Sequence, residues 1–287
     1  MMTIAKKELR GYFNSMMGFV YLAITLILMG VMFGLICVYS SSGNFQNVLS
    51  SATIIFLFLI PIITMRLFAE ESRQKTDQML FTAPVSIVRV VLGKYLAAMA
   101  LVMIGVIITA FLPIMVSPYG TMPTREIISG YIGYILLAAC FTAVGTFVST
   151  LTDNQIVSAI VSIFIFFVFM IFDSIVSIIP STVTASVIFL IIVVLGLGWL
   201  VYSSTRNLYA GLIFAGVCIV AVLVCYLINN LIFDGLTVKV LNWFSIMSRN
   251  TNFFNGVFNL SDIVYHITFA AAFLYLAVNV LQKRRWK

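Results

Sequence analysis

The sequence predicts an all-α, polytopic membrane protein with about eight transmembrane helices. Hydrophobic residues make up 62% of its 287 residues and charged residues only 9%, and the mean hydropathy is +1.15. A soluble domain typically carries about 25% charged residues, so this chain cannot hide its apolar surface in a water-soluble core. Its apolar runs are long and continuous instead of alternating with polar residues. Continuous runs favour membrane-spanning helices over the strands of a membrane β-barrel.

Eight apolar runs are candidates for membrane spans, because a helix needs about 20 apolar residues to cross the hydrocarbon core. The runs cover residues 18–39, 51–68, 95–116, 131–151, 156–179, 186–202, 208–228 and 263–281. The sixth run is the shortest and contains Gly196 and Gly198. If the region 186–228 does not cross the membrane fully, six spans are the alternative.

The distribution of basic residues predicts that both termini are cytoplasmic, which requires an even number of spans. Lys and Arg collect on the cytoplasmic side of membrane proteins. With both ends inside, the outer face receives only Arg125, Lys239 and Arg249 of the 16 basic residues. We therefore expect a single transmembrane domain over residues 1–287, with an extracytoplasmic segment at 229–262. The net charge of +7 follows from this topology and gives no reason to expect nucleic acid binding.

The most charged segment of the chain follows the second span, where residues 70–77 read EESRQKTD. Glu71 and Lys75 stand four apart in the order that stabilises a helix, and Arg73 and Asp77 form a second pair with the same spacing. This spacing predicts a short, water-facing helix within 69–85, which Pro84 ends. Such a helix is suited to docking against a partner. A solvated linker without a partner is the alternative.

The N-terminal segment has an amphipathic pattern. Its apolar residues Ile4, Leu9, Tyr12 and Phe13 can share one face of a helix, while Lys6, Lys7 and Arg10 occupy the other. A short helix of this kind suits the membrane interface, because its basic residues can face lipid headgroups.

The sequence offers no constellation for catalysis, metal binding or nucleotide binding. It lacks the G-x-x-x-x-G-K-[ST] loop that cradles nucleotide phosphates. The pair Glu70-Glu71 also occurs in intramembrane proteases, but that chemistry needs further histidines, and His266 is the only histidine here. We expect His266 to be packed in the structure. We also expect core packing for the four cysteines, which are Cys37, Cys140, Cys218 and Cys225.

Four separate pieces of the chain form a recognisable pattern. The longest is FLIPIITMRLFAEESRQKTDQMLFTAPVSIVRVVLGKY at 58–95. The others are KKELRGYF near the N-terminus, LTDNQ before the fifth span, and NGVFNLSDIVY followed by a terminal RRW. Together they resemble the permease subunits of type 2 ABC transporters, and most closely the branch linked to gliding motility and to nitrous-oxide-reductase maturation. The resemblance extends over about the first 160 and the last 40 residues.

This resemblance implies a membrane-spanning subunit that forms the translocation path of an ATP-driven exporter in a bacterial cell membrane. Two permease chains, identical or paralogous, would pair around the path, and two separate ATPase subunits would bind ATP and Mg. In the family, the segment after the second span is the coupling helix that contacts the ATPase. Carried over to this chain, the ATPase-coupling residues are Glu70, Glu71, Arg73, Lys75, Thr76 and Asp77. The interfacial elbow helix at 1–17 would carry Lys6, Lys7 and Arg10.

The cargo is expected to be amphipathic or hydrophobic, such as a lipid, a peptide or a drug-like molecule, because the spans carry no ionisable residue near their middle. No substrate-binding residue is assigned, since an additional helical pair at 186–228 departs from the six spans common in the family. An ion-coupled secondary transporter or channel is the alternative, although such proteins normally use an ionisable group inside a span. A membrane anchor that transports nothing is a third interpretation.

Overall fold

The computed structural model describes residues 1–39, 45–76, 85–116, 124–228 and 233–285. Over these ranges the chain is helical and contains no strand, which confirms the predicted all-α class. The helices are α1 (Met2–Asn14), α2 (Met16–Phe33), α3 (Phe45–Thr64), α4 (Arg66–Arg73), α5 (Ile87–Thr109), α6 (Phe111–Val116), α7 (Thr124–Leu151), α8 (Gln155–Ile178), α9 (Val183–Thr205), α10 (Leu208–Ile228), α11 (Leu236–Phe244), α12 (Ile246–Phe254) and α13 (Leu260–Arg285). A π-helical segment, Gly34–Tyr39, extends α2.

Seven helical segments of the described chain are long and apolar enough to cross a membrane. They are Met16–Tyr39, Phe45–Arg73, Ile87–Met115, Thr124–Leu151, Gln155–Ile178, Val183–Ser203 and Leu260–Arg285. The other run predicted as a span lies in α10, whose apolar stretch Leu212–Leu227 is shorter than these seven. All eight predicted runs are therefore helical, and the chain is a multi-pass membrane protein.

The chain divides into two compact units, and α7 lies at the centre of the first. This first unit consists of Met1–Val168 together with Ile246–Lys287, and the second of Phe169–Ser245. Helix α7 packs against α3, α4, α5, α12 and α13. Many of its buried residues are small, among them Ser129, Gly130, Gly133, Ala138, Cys140, Ala143, Gly145, Thr146 and Ser149. Small residues let membrane helices approach closely, which explains how one helix contacts so many neighbours.

Two glycines of α7 mark its closest approaches to other helices. A Cβ atom on Gly133 would lie 2.5 Å from the Cβ atom of Phe253 in α12. A Cβ atom on Gly145 would lie 2.9 Å from the Cβ atom of Thr64 in α3. Neither position has room for a side chain, so these two glycines set the distances from α7 to α12 and to α3.

A polar cluster joins α12 to α13 within the first unit. The carboxylate of Asp262 accepts hydrogen bonds from Arg249 at 3.1 Å and from Asn252 at 2.8 Å. The guanidinium of Arg249 also lies 4.4 Å from the centre of the Tyr265 ring. His266 is buried, and its Nδ1 donates to the carbonyl oxygen of Asp262 at 2.7 Å. The only histidine is therefore packed between helices, as expected from the sequence.

The second unit is built on a hairpin of α9 and α10. The chain turns at Arg206, whose φ of 51° is left-handed, and the two helices pack along each other. Helix α11 packs against α9, and the amide of Gly235 donates to the carbonyl oxygen of Ser181 at 3.1 Å. The hairpin coincides with the additional helical pair expected at 186–228. Of the outer segment predicted at 229–262, residues 229–232 lie outside the described residues.

The four cysteines differ in their surroundings. Cys37 and Cys140 are buried, Cys218 is half-buried and Cys225 is exposed. The prediction that the cysteines pack in the core is thus confirmed for Cys37 and Cys140 and wrong for Cys225. The reason is that α10 is apolar on all sides, so part of its apolar surface faces away from the protein, as in a lipid-facing helix.

Candidate functional site

The polar end of the first unit brings together five segments that lie far apart in the sequence. These are α1, α4, the first turns of α5, the end of α7 with the turn after it, and the end of α13. We call this region the charged end and define it by the residues that hold it together, which are Glu8, Tyr12, Arg66, Glu70, Glu71, Ser72, Lys94, Ser149, Asp153 and Arg284. By its sequence, this is the end predicted to be cytoplasmic.

Helix α4 follows α3 after a single residue, Met65, and side chains from neighbouring helices bond to the backbone at this junction. The hydroxyl of Tyr12 in α1 donates to the carbonyl oxygen of Ile63 at 3.1 Å. The hydroxyl of Ser149 in α7 donates to the carbonyl oxygen of Met65 at 3.3 Å. Burial raises the pKa of the Tyr12 hydroxyl well above its ordinary value, so this group stays protonated and continues to donate. The junction is therefore tied to both α1 and α7.

Ser149 also acts as the N-terminal cap of α4, although it belongs to another helix. Its hydroxyl oxygen accepts hydrogen bonds from the amides of Phe68 at 3.1 Å and Ala69 at 3.2 Å. The first four amides of a helix have no partner within that helix, and Met65, the residue before α4, supplies no side-chain cap. The start of α4 is therefore fixed by α7.

Lys94 of α5 lies between two carboxylates from different helices. Only 3% of its side chain is exposed, and its ammonium lies 2.6 Å from the carboxylate of Glu71 and 3.5 Å from that of Glu8. The same ammonium donates to the carbonyl oxygen of Leu67 and lies 5.0 Å from the centre of the Phe68 ring. A buried cation is stable when opposite charges and hydrogen-bond acceptors surround it. Lys94 thus joins α1, α4 and α5 through one atom.

Glu70 is bound within α4 by Arg66, one turn earlier. Two parallel hydrogen bonds connect them, from Nε to Oε2 at 2.7 Å and from Nη2 to Oε1 at 3.0 Å. A two-bond contact between arginine and a carboxylate fixes the relative orientation of both groups. The acidic pair predicted to face the ATPase is therefore engaged inside the chain, since Glu70 binds Arg66 and Glu71 binds Lys94.

A third contact ties α4 to the turn after α7 and to the end of α13. The hydroxyl of Ser72 donates to the carboxylate of Asp153 at 2.6 Å, and Arg284 lies 3.1 Å from both groups. The Ser72 hydrogen bond and the positive charge of Arg284 hold the pKa of Asp153 below its usual range. Asp153 belongs to the LTDNQ piece and Arg284 to the terminal RRW, so these two parts of the sequence pattern meet here.

Helix α4 ends earlier than the sequence predicts. The helix expected within 69–85 instead continues from the second span and stops at Arg73, and residues 74–76 form a turn. The amide of Lys75 donates to the carbonyl oxygen of Ser72 and the amide of Thr76 to that of Glu71. With Lys75 at a φ of 56°, this is the Schellman arrangement that closes helices.

The predicted helical pair of Glu71 and Lys75 is consequently wrong. Lys75 lies in the turn beyond the end of α4, and Glu71 binds Lys94 instead. Arg73, Lys75 and Thr76 are exposed at this end. Asp77, its predicted pairing with Arg73, and the rest of the predicted helix up to residue 84 lie outside the described residues.

The N-terminal segment forms the helix that its pattern predicts. Its basic residues Lys6, Lys7 and Arg10 are exposed, and Tyr12 is buried against the rest of the first unit. Helix α1 packs against α5 and α2. A Cβ atom on Gly93 would lie 3.0 Å from Ile4, which shows how closely α1 and α5 approach. The position of this helix in the membrane interface stays a prediction.

The sequence assigned a site role to only Glu70 and Glu71 among the residues that define the charged end, and three of the others show why. Lys94 carried a detectable signal, because it is the one cation among the apolar residues 90–109. Arg284 belongs to a basic terminus whose pattern indicates topology but no contact. Ser149 gave no signal, because a serine in an apolar span is common and its role comes only from the proximity of α7 to α4.

The fold is that of a polytopic helical membrane protein with a charged end. Residues 35–224 match a model of the family described as ABC-2 family transporter protein. This match covers more than half of the chain, so the chain belongs to the ABC-2 transporter family. Members of this family are non-catalytic membrane subunits that generally work with an ABC ATPase. Among curated proteins, none matches this chain.

Proposed function

We propose that this chain is the permease subunit of an ATP-driven exporter and that it receives mechanical work through its first cytoplasmic loop. ATP and Mg bind to separate ATPase subunits, two in each complex, and a second permease chain, identical or paralogous, completes the translocation path. The membrane is the bacterial cell membrane, and the chain belongs to the gliding-motility and nitrous-oxide-reductase-maturation branch of the family. The cargo is amphipathic or hydrophobic.

The observation that carries this proposal is the attachment of α4 to several helices at once. Lys94 connects α4 to α5 and, through Glu8, to α1, and Ser149 connects α4 to α7. A force applied at the end of α4 therefore reaches several helices of the first unit together. A solvated linker between two spans needs no such contacts, so the geometry favours the docking interpretation over the linker.

The same contacts divide the predicted coupling residues into two groups. Glu70 and Glu71 hold α4 in place through ion pairs inside the chain. Arg73, Lys75 and Thr76 are exposed beyond them, where a separate subunit can reach. We propose that the first group transmits movement and that the second group contacts the ATPase.

The test measures whether the chain assembles with an ATPase and whether it changes the rate of ATP hydrolysis. The complete chain is produced together with each Walker-type ATPase encoded in its gene neighbourhood and purified through a tag on this chain. We expect one ATPase to co-purify and its hydrolysis rate to change when the permease is present. An ATPase variant that lacks its catalytic glutamate serves as the control for background hydrolysis.

Three outcomes contradict the proposal. If no such ATPase associates with the chain, and the purified chain in vesicles moves an ion or solute along an ion gradient alone, it is a secondary transporter or channel. If an ATPase associates but the Arg73→Glu variant leaves both assembly and hydrolysis unchanged, the loop is not the coupling element. A membrane anchor without transport predicts association with other membrane proteins and no effect on hydrolysis.

A further inference from the structure

We infer that the charged end binds an acidic, partly apolar segment of the ATPase subunit, in a groove beside Arg73. This inference rests on the proposed function and adds the chemistry of the partner surface. At this end the acidic residues are paired within the chain, whereas many of the basic residues are exposed.

The acidic residues described at the charged end are all engaged within the chain. Glu8 and Glu71 contact Lys94, Glu70 contacts Arg66, and Asp153 contacts Arg284. Each carboxylate therefore already faces a cation of the same chain. They are poorly suited to attract a basic partner, since their charge is neutralised locally.

The basic residues on the predicted cytoplasmic side behave differently. Eight of those in the first unit are exposed, and within the described chain they form no ion pair: Lys6, Lys7, Arg10, Arg73, Lys75, Arg89, Lys283 and Arg285. The accessible charge of this face is therefore positive. A surface with one sign of charge attracts a partner of the opposite sign and raises its association rate.

A groove of about 500 Å³ lies next to one of these cations. Its lining combines Arg73 at the end of α4 with the turn between α7 and α8, and comprises Arg73, Thr152, Asp153, Asn154, Ile156 and Val157. Ile156 and Val157, the first residues of the predicted fifth span, are 69% and 42% exposed, so the groove has an apolar side where this span begins and a cationic edge at Arg73. An apolar side chain followed by an acidic residue fits this combination.

The position of Arg73 favours a protein partner over lipid headgroups. Arg73 lies five residues beyond the predicted end of the second span at residue 68, about 8 Å of helix at 1.5 Å per residue. The headgroup region on each side of a bilayer is only about 5–8 Å thick. Arg73 and Lys75 are thus expected at the outer edge of the headgroup region, within reach of a cytoplasmic subunit, whereas Lys6, Lys7 and Arg10 lie on an amphipathic helix that suits the interface itself.

The experiment compares two double variants with the same change in charge. The full-length permease, purified in a neutral detergent, carries either Arg73→Glu with Lys75→Glu or Lys6→Glu with Lys7→Glu. Binding of the co-purifying ATPase is titrated at low and at high salt. We expect the first variant to weaken binding about tenfold or more at low salt and high salt to reduce the difference. The second variant should bind within about twofold of the unmodified protein, because its substitutions lie outside the groove.

Further measurements separate the possible failures. All four positions are exposed, so both variants should elute as single species in size-exclusion chromatography, which shows that they are folded. Equal losses in both variants indicate general attraction without a docking groove and overturn the inference, while the proposed function stands. The inference is also overturned, and the proposed function stands, if the first variant binds the ATPase normally but loses binding to vesicles that contain an anionic phospholipid. Absence of any ATPase binding by the unmodified chain overturns the proposed function itself.

Discussion

Lys94 contacts groups from two other helices, and its replacement tests how the charged end is held together. In the Lys94→Met variant, the carboxylates of Glu71 and Glu8 lose their shared cation. Both carboxylates are about one quarter exposed, so we expect a loss of about 1–3 kcal/mol in the free energy of unfolding, less than for fully buried charges. Thermal unfolding of the purified protein in detergent measures it. The matched control is Lys7→Met, which removes an exposed lysine and should change stability little.

A second substitution identifies the source of the loss. Adding Glu71→Gln to Lys94→Met removes one of the two carboxylates left without a cation, so part of the lost stability should return. If the double variant is as unstable as the sum of its single variants, the ion pair does not account for the effect, and packing of the lysine side chain does.

The carboxylate of Asp153 predicts a dependence of stability on pH. Because Ser72 and Arg284 lower its pKa in the folded protein, its contribution is complete above the ordinary pKa of aspartate, about 3.9, and disappears as the pH falls through the lowered value. The unmodified protein should thus unfold at a higher temperature than Asp153→Asn at pH 7, and the gap should close in acid. The effect is small, since 67% of this side chain is exposed.

The control for this pH dependence is Ser72→Ala, which removes the hydrogen-bond donor. At pH 7 its unfolding temperature should lie closer to that of Asp153→Asn than the unfolding temperature of the unmodified protein does. A gap that stays constant from neutral to acid pH contradicts the assignment. The measurement is the unfolding temperature of the unmodified protein, of Asp153→Asn and of Ser72→Ala over the same pH series.

At the scale of the element, α7 predicts a difference between two glycine substitutions. Gly145→Ala places a methyl group 2.9 Å from the Cβ atom of Thr64, so α3 must move, and we expect a loss of about 1–3 kcal/mol in stability. Gly105→Ala in α5 is the matched control. Its new methyl group would lie 3.5 Å from Leu22 and 3.6 Å from Thr25, which are ordinary contacts. Similar unfolding temperatures for the two variants would show that α7 and α3 are not closely packed.

The eight apolar helices were predictable from the sequence, and the end of α4 was not. An apolar run of sufficient length is a local property, so all eight runs were found. The spacing of Glu71 and Lys75 is also local, but it cannot reveal a competing cation in another helix. Lys94 takes Glu71 because α5 lies beside α4. The cap from Ser149 depends on tertiary packing in the same way, which is why sequence reasoning missed it.

At the scale of the whole molecule, the distribution of basic residues predicts the orientation in the membrane. Single cysteines at the exposed positions Lys75 and Lys239, introduced after replacement of the four native cysteines, report it through an impermeant maleimide. We expect Lys239→Cys to react in intact cells and Lys75→Cys to react only after permeabilisation. An intact-cell reaction at position 75 would exclude a cytoplasmic ATPase at this loop and with it the proposed function.

The cap that Ser149 provides has a consequence for chimeric permeases. A graft that moves only residues 66–76 into another host leaves behind Lys94, Ser149, Asp153 and Arg284, which hold that stretch from elsewhere in the chain. The grafted residues would then keep their sequence but lose the conformation that these contacts hold. If the loop contacts the ATPase as proposed, an exchange of ATPase partners between such proteins requires the supporting residues to be transferred together with the loop.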